Sequence, residues 1–295
     1  MAFLTIRHVT TYRYRQPVAF GEHRLMFRPR DTDDQKVKTT HLAISPAPSS
    51  LDFIEDIFGN QVGVARFSAN AAELRFESVV DIERSPQANL SLEAMPSGVF
   101  PVTYAATEIS QLSTFMERYY SDPCDMIDVW ASGFLPTDAR IGNFELLVAM
   151  TRGIRDGLRY RRREEKGIQT PQETLHKGQG SCRDFAMLMI EGVRSLGFAA
   201  RFASGYLAAP MDHPASGATH AWAQVYLPGV GWVDFDPTNG TAGPAALVTV
   251  AVAHDPHHAL PLHGTYFGAA ADHLGMDVHV RLIRDEEVAG KEEAS

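Results

Sequence analysis

Residues 178–197, G-Q-G-S-C-R-D-F-A-M-L-M-I-E-G-V-R-S-L-G, carry both ends of one helix, and no other segment constrains the fold as much. Ser181 is an N-cap residue type, and Asp184 stands three positions later, the spacing of a capping box. Gly178 and Gly180 permit a tight backbone path into the helix. Ala186, Met189, Ile190, Val193 and Leu196 recur at helical spacing as one apolar stripe, and Gly197 fits the left-handed residue that ends a helix.

With Ser181 as cap, Cys182 is the first helical residue. Its sulfur then lies beside backbone N–H groups that have no partner within the helix, and at the positive end of the helix dipole. Both favour the thiolate: cysteines so placed have pKa values lowered from about 8.5 towards roughly 3.5–7.5. The same amides can receive a developing oxyanion. The alternative is a buried structural cysteine.

Downstream, Ala199–Leu207, Thr219–Leu227 and Gly231–Phe235 read as strands, with a turn at Pro228-Gly229 between the last two. Matching the apolar faces sets Ala221 opposite Phe235 and Ala223 opposite Val233. The polar face then sets His220 opposite Asp236, Trp222 opposite Asp234 and Gln224 opposite Trp232. A one-residue slip would turn every side chain to the wrong face. Directly opposed residues have Cβ atoms about 4.5–5.5 Å apart, so Asp236 is predicted to hold the imidazole of His220. Alternation does not separate Asp236 from Asp234; the register assigns the orienting role to Asp236. A surface His–Asp pair is the competing account. The capped-helix cysteine upstream weighs against it, because nucleophile, base and orienter are then all present.

The chain has 295 residues, enough for one large or two ordinary domains. A formal net charge of −9 argues against nucleic acid or an anionic membrane as the main partner. Two cysteines, Cys124 and Cys182, are too few for a disulfide framework or a cysteine zinc site, and a reduced, cytoplasmic setting is expected. The N-terminal residues lack the features of a signal peptide, and no apolar run approaches the roughly 20 residues that cross a bilayer.

Short strands punctuated by turns (Phe3–Val9, Tyr12–Arg15, His41–Ile44, Val62–Phe67, Leu74–Ile82) predict an antiparallel sheet or small sandwich at the start. The proline-bearing stretch 85–104 marks a boundary, giving a β-rich domain over 1–95 and a second domain over 96–295. Within the second, Ile141–Tyr160 has helical spacing, and Thr170-Pro171 opens a short helix.

Three segments, GQGSCRDFAMLMIEGVRSLGFAARFASGYL, THAWAQVYL and GWVDFDPTNG, resemble the transglutaminase-like superfamily, whose core is papain-like. The resemblance implies Cys182, His220 and Asp236 as the catalytic positions. IRHVTTYRYRQPVAFGEHRLMFRPR and DIFGNQV resemble the N-terminal β-domain of many bacterial members, and HALPLHGTYFGAAADHLGMDVHVRLI is similar to their C-terminal segment. The likeness is weakest over 86–140, and AHDPHHALPL replaces a longer polar phrase of the family.

The expected fold is therefore α+β: a β-rich N-terminal domain, then a papain-like core in which the helix bearing Cys182 packs on an antiparallel sheet, with a C-terminal β tail. The expected function is thiol-dependent hydrolysis of a peptide or amide bond through a thioester, with no cofactor and no metal. The alternatives are transamidation to an amine and a non-catalytic binding module on the same fold. Gln179 is a candidate oxyanion donor, and Trp222 and Asp234 are candidate cleft residues. Arg201 reads as a structural ion pair. Histidines 254, 257, 258, 263, 273 and 279 lack a metal-ligand pattern. Substrate identity and oligomeric state are not legible.

Overall fold

The two β-prone segments at 3–9 and 12–15 belong to one strand, β1 (Ala2–Leu25), of 24 residues. Its pairing is irregular between Arg13 and Val18, which is where Pro17, lacking an N–H, can be accommodated. This computed structural model describes residues 2–85, 98–137, 140–162, 167–208, 217–243 and 246–284, and the expected boundary at residue 95 lies outside them.

After β1 come β2 (Gln35–Ser45), β3 (Ser50–Glu55), β4 (Gln61–Arg66) and β5 (Ala71–Arg84). Helices α1 (Ala106–Met116), α2 (Met126–Ser132) and α3 (Asn143–Gly157) follow. Then come β6 (Arg159–Tyr160), α4 (Pro171–Lys177), β7 (Gln179–Gly180) and α5 (Cys182–Ser195). The remainder is β8 (Ala200–Leu207), β9 (His220–Leu227), β10 (Gly231–Asp236), β11 (Thr241–Ala242), β12 (Leu247–Ala253), β13 (Leu262–Phe267) and β14 (His273–Arg284).

The N-terminal sheet has the order β2-β5-β1-β4-β3, and β13 and β14 also pair with β1. The C-terminal tail thus completes the first sheet: β14 runs antiparallel to β1 from Leu4 opposite Arg284 to Tyr14 opposite His273. Tyr14, Phe20, Phe27, Leu74 and Phe76 form a core beneath it.

The second sheet is antiparallel, in the order β11-β10-β9-β8-β12, and α5 packs on it. Ala221, Ala223, Val225, Val233 and Phe235 share a core with Phe185, Met189, Ile190 and Val193 of the helix. The helix is buried well beyond its predicted stripe, Met187 and Leu188 included, because α2, α3 and α4 cover its other side. Its end follows the expected pattern. Gly197 has φ +87°, its N–H donates to the Arg194 carbonyl at 3.0 Å, and the Phe198 N–H donates to the Val193 carbonyl at 3.0 Å.

A buried ion pair ties the poorly patterned segment 115–120 to this helix. Arg194 Nη1 lies 2.9 Å from Glu191 Oε1, with both side chains fully buried. Glu191 also accepts from the N–H groups of Tyr119 and Tyr120, at 3.1 Å each. Arg194 donates to the carbonyls of Phe115 and Ala200.

The hairpin register differs from the one the apolar match predicts. Ala223, not Ala221, is opposite Phe235; Val225 is opposite Val233, and Gln224 is opposite Asp234. This slip of two residues keeps every side chain on its expected face, so the pattern cannot detect it. The turn decides it. Pro228-Gly229-Val230 forms a three-residue loop, with Gly229 at φ +75° and Gly231 at φ +98°, conformations that suit glycine.

Candidate active site

Asp184 holds the entry to α5 in place. Its Oδ2 accepts from the N–H and the hydroxyl of Ser181, both at 2.8 Å, and its Oδ1 accepts from the N–H of Gln169 at 2.7 Å. The capping carboxylate therefore also pins the preceding loop, and Asp184 is fully buried. Gly180 is needed for this closeness, since a Cβ there would lie 2.9 Å from that of Asp184 and 3.1 Å from the Phe185 ring. On the other side, the Arg159 and Arg161 N–H groups donate to the carbonyls of Gly178 and Gly180, fixing 159–162 beside the loop that ends in Cys182. Cys182 is the first residue of α5 and is half-buried.

His220 opens β9 and Asp236 ends β10. His220 Nε2 lies 2.8 Å from Asp236 Oδ2, with both side chains 1% exposed. The N–H of Thr238 and the side-chain amide of Asn239 also donate to Asp236, at 3.0 and 2.6 Å. Burial alone would lower the His220 pKa. The charge and hydrogen bond of Asp236 outweigh it, Cys182 adds hydrogen bonding and charge, and the imidazole is pushed up to about 10. For Asp236, burial acts upward, and the His220 charge with these hydrogen bonds holds the carboxyl below its usual range. The geometry therefore supports an imidazolium–carboxylate pair beside a thiol.

Asp234 does not touch His220. Its Oδ1 accepts from Trp222 Nε1 at 2.6 Å and from Gln224 Nε2 at 2.8 Å. Trp222 is fully buried and stacks on the His220 ring, with centroids 6.0 Å apart and planes 28° apart. It supports the imidazole from behind and does not line the cavity at Cys182. Arg201 stacks on Trp232 at 4.1 Å and donates to Gln224 at 2.8 Å. Among the described residues it makes no ion pair, because the nearby Asp234 is taken up by Trp222 and Gln224.

Cys182 and His220 line a cavity of about 220 Å³. Phe202, Ala259, Leu260 and Leu262 give it an apolar side, and the first sheet closes it with Thr10 and His8 of β1 and Met276 and Val278 of β14. His8 is buried and pushed down to about 3, so it is a neutral imidazole; it bonds Tyr206 and Thr10, both at 2.9 Å. Gln179 lies in β7, outside the residues that line the cavity, and its carbonyl accepts from Gln169. Tyr160 does line it. Burial, and the charge of Cys182 after it, push its phenol up to about 12, so it stays a hydrogen-bond donor at neutral pH. Sequence reasoning missed Tyr160 by placing it at the end of a helix; α3 stops at Gly157, and Tyr160 sits in the short β6 paired with β7. Among the described residues, no three His, Cys, Asp or Glu side chains are grouped to hold a metal.

Residues 137–237, which hold the Cys182 helix and the His220–Asp236 hairpin, match the model of the transglutaminase-like superfamily, and residues 4–83 match that of the bacterial transglutaminase-like N-terminal region. The chain belongs to the transglutaminase-like superfamily. The uncharacterized protein ML0607 of Mycobacterium leprae is 27% identical over 95% of this chain and 98% of its own. The uncharacterized protein Rv2569c of Mycobacterium tuberculosis is 27% identical over 94% of this chain and 91% of its own. Among solved structures, a protein of Cytophaga hutchinsonii named a "Putative Cysteine Protease" aligns with a TM-score of 0.71 at 19% identity, over 96% of this chain and 90% of that one. The α+β fold, a β-rich first part followed by a papain-like core, is thus shared with that structure over nearly the whole chain.

Proposed function

We propose that this transglutaminase-like protein is a thiol amidase that hydrolyses a peptide or other amide bond through an acyl thioester on Cys182. The observation that carries the reading is a helix-start cysteine beside an imidazole whose far nitrogen is held by a buried carboxylate. Cys182 thiolate attacks the amide carbonyl carbon. The N–H groups at the start of α5, with the Tyr160 hydroxyl, hold the resulting oxyanion. The imidazolium of His220 gives its proton to the leaving nitrogen, the C–N bond breaks, and a thioester remains. Water then gives up a proton to His220 and attacks the thioester, releasing a carboxylic acid and the thiolate. Asp236 fixes the ring and supports its charge in both steps. Cys182 is partly exposed, so water can reach the thioester.

Activity profiling of the full chain against peptide, peptidoglycan-fragment and glutamine-amine substrates, with mass detection, tests this. The expected result is an acid product, an acyl adduct trapped on Cys182, and no turnover in Cys182→Ala. Amine adducts in place of the acid would replace hydrolysis with transamidation, and turnover by Cys182→Ala would sink the thiol mechanism. Limiting iodoacetamide should also label Cys182 well ahead of the exposed Cys124.

A further inference from the structure

The protein is acidic, with 36 Asp and Glu against 27 Lys and Arg, yet among the described residues its catalytic cavity is lined by two arginines and by no carboxylate. The arginines are Arg162 and Arg183. Arg183 is the second residue of α5, immediately after Cys182. Arg162 follows the β6 segment, which the Arg161–Gly180 backbone hydrogen bond fixes beside the cysteine loop. Both lie close enough to Tyr160 for their charges to favour its ionised form, against the effect of Cys182. Both arginines therefore line the cavity that Cys182 and His220 share, with their charges felt at Tyr160.

Neither arginine has a structural task that accounts for it. Several other surface arginines are paired, Arg7 with Glu77, Arg28 with Asp31, Arg66 with Asp52 and Glu22, and Arg118 with Asp122 and Asp128, although not all of them are. Among the described residues, Arg162 and Arg183 make no ion pair and no side-chain hydrogen bond. Arg183 also stands in the first turn of a helix, where the macrodipole disfavours a cation and favours an anion. A residue that breaks a local rule next to a reactive group points to a ligand that restores the balance. Guanidinium presents a planar fork that matches carboxylate or phosphate, and carboxylate is the group that peptide amides carry.

We infer that Arg162 and Arg183 form an anion subsite that selects amides carrying a carboxylate next to the scissile bond. The inference rests on the thiol-amidase reading and names its substrate class. The carboxylate has two sources: an acidic side chain on the acyl residue, or the free C-terminus of the leaving amine.

The test uses two reagents that alkylate Cys182 and differ in charge: anionic iodoacetate and neutral iodoacetamide. The quantity read is the ratio of their rates at Cys182 in the full chain, before and after Arg162→Gln with Arg183→Gln. Any change in thiol reactivity scales both rates and cancels in the ratio, so the ratio reports the local field. The double variant should lower it about five- to tenfold, the effect of two partly exposed charges close to the reacting group. A ratio unchanged by the double substitution overturns the subsite.

Two substrate pairs then separate the sources. One compares N-acetyl-glutamyl with N-acetyl-glutaminyl anilide, and the other an N-acetyl-dipeptide with its C-terminal amide. The carboxylated member of one pair should be preferred about tenfold in kcat/KM, with the preference lost in the double variant. Equal turnover within both pairs overturns the assignment of substrate class. Cleavage that persists in Cys182→Ala overturns the thiol-amidase reading instead, while a ratio that responds to the arginines upholds the subsite.

Discussion

His220 Nε2 and Asp236 Oδ2 are 2.8 Å apart, although the two residues are a diagonal pair across the β9–β10 hairpin and not an opposed one. The ladder ends at Phe235 opposite Ala223, so Asp236 lies just past it, where Thr238 and Asn239 fold back to donate to its carboxylate. The turn after the strand thus aims the carboxylate at a ring two residues along the neighbouring strand.

Asp236→Asn should leave the fold intact and lower kcat by about 10³- to 10⁴-fold, through loss of tautomer control and of support for the imidazolium. The alkaline limb of the pH–rate profile should also move to lower pH, because it follows the His220 imidazolium, and Asp236 is what holds the ring near 10 against burial. A wild-type pH profile retained in the variant would refute this role.

The same pair makes stability depend on pH in a definite sense. The folded His220 pKa is raised, so its contribution is full below about 6.5 and is lost as pH rises towards 10. The Asp236 pKa is lowered, so its contribution is present above about 3.9 and is lost as pH falls. Urea unfolding from pH 5 to 10 should show wild-type stability falling at the alkaline end, and His220→Gln should remove that slope.

Tyr160→Phe should lower kcat by about 10²-fold with little change in KM, the pattern expected when one oxyanion donor is removed. Initial rates over a range of substrate concentrations measure both. A matching rise in KM with kcat intact would make Tyr160 a binding residue instead.

Asp234→Asn tests the second carboxylate on the same strand face. Its partners are the Trp222 indole and the Gln224 amide, and an asparagine oxygen still accepts from them, without the charge that strengthens both bonds. The expected cost is about 1–3 kcal/mol of stability in thermal or urea unfolding, with a fall in kcat far smaller than that of Asp236→Asn. Equal losses of turnover in the two variants would show that the route through Trp222 matters as much as the direct contact.

Glu191→Ala should destabilise by about 3–5 kcal/mol, since it strands the buried Arg194 and removes the acceptor for the Tyr119 and Tyr120 N–H groups. Unfolding of the variant by urea reads it.

The α5 helix was legible because its signals are local: the cap at Ser181, the box with Asp184 and the stop at Gly197 lie within one segment. The faces of the hairpin were legible for the same reason, but its register was not. A two-residue slip preserves alternation, and the three-residue loop from Pro228 to Val230 was the deciding fact. Tyr160 and the cavity wall from β1 and β14 leave no local trace. They arise from long-range pairing, in which residues near 10 and near 278 meet across one strand. Helices α1 and α2 were missed because segment 105–132 owes its place to buried anchors, Tyr104, Leu112 and the Glu191 network, more than to a repeating apolar pattern.

The wall of the cavity has a consequence in time. Met276 and Val278 belong to β14, the last strand among the described residues, and they pair with Tyr12 and Thr10 of the first. During synthesis, α5 and the β9–β10 hairpin can assemble around Cys182 well before β14 has left the ribosome. Until it does, the cavity lacks the part of its wall that Met276 and Val278 supply. On the proposed mechanism, closing the first sheet with β14 is then also what narrows access to the thiol.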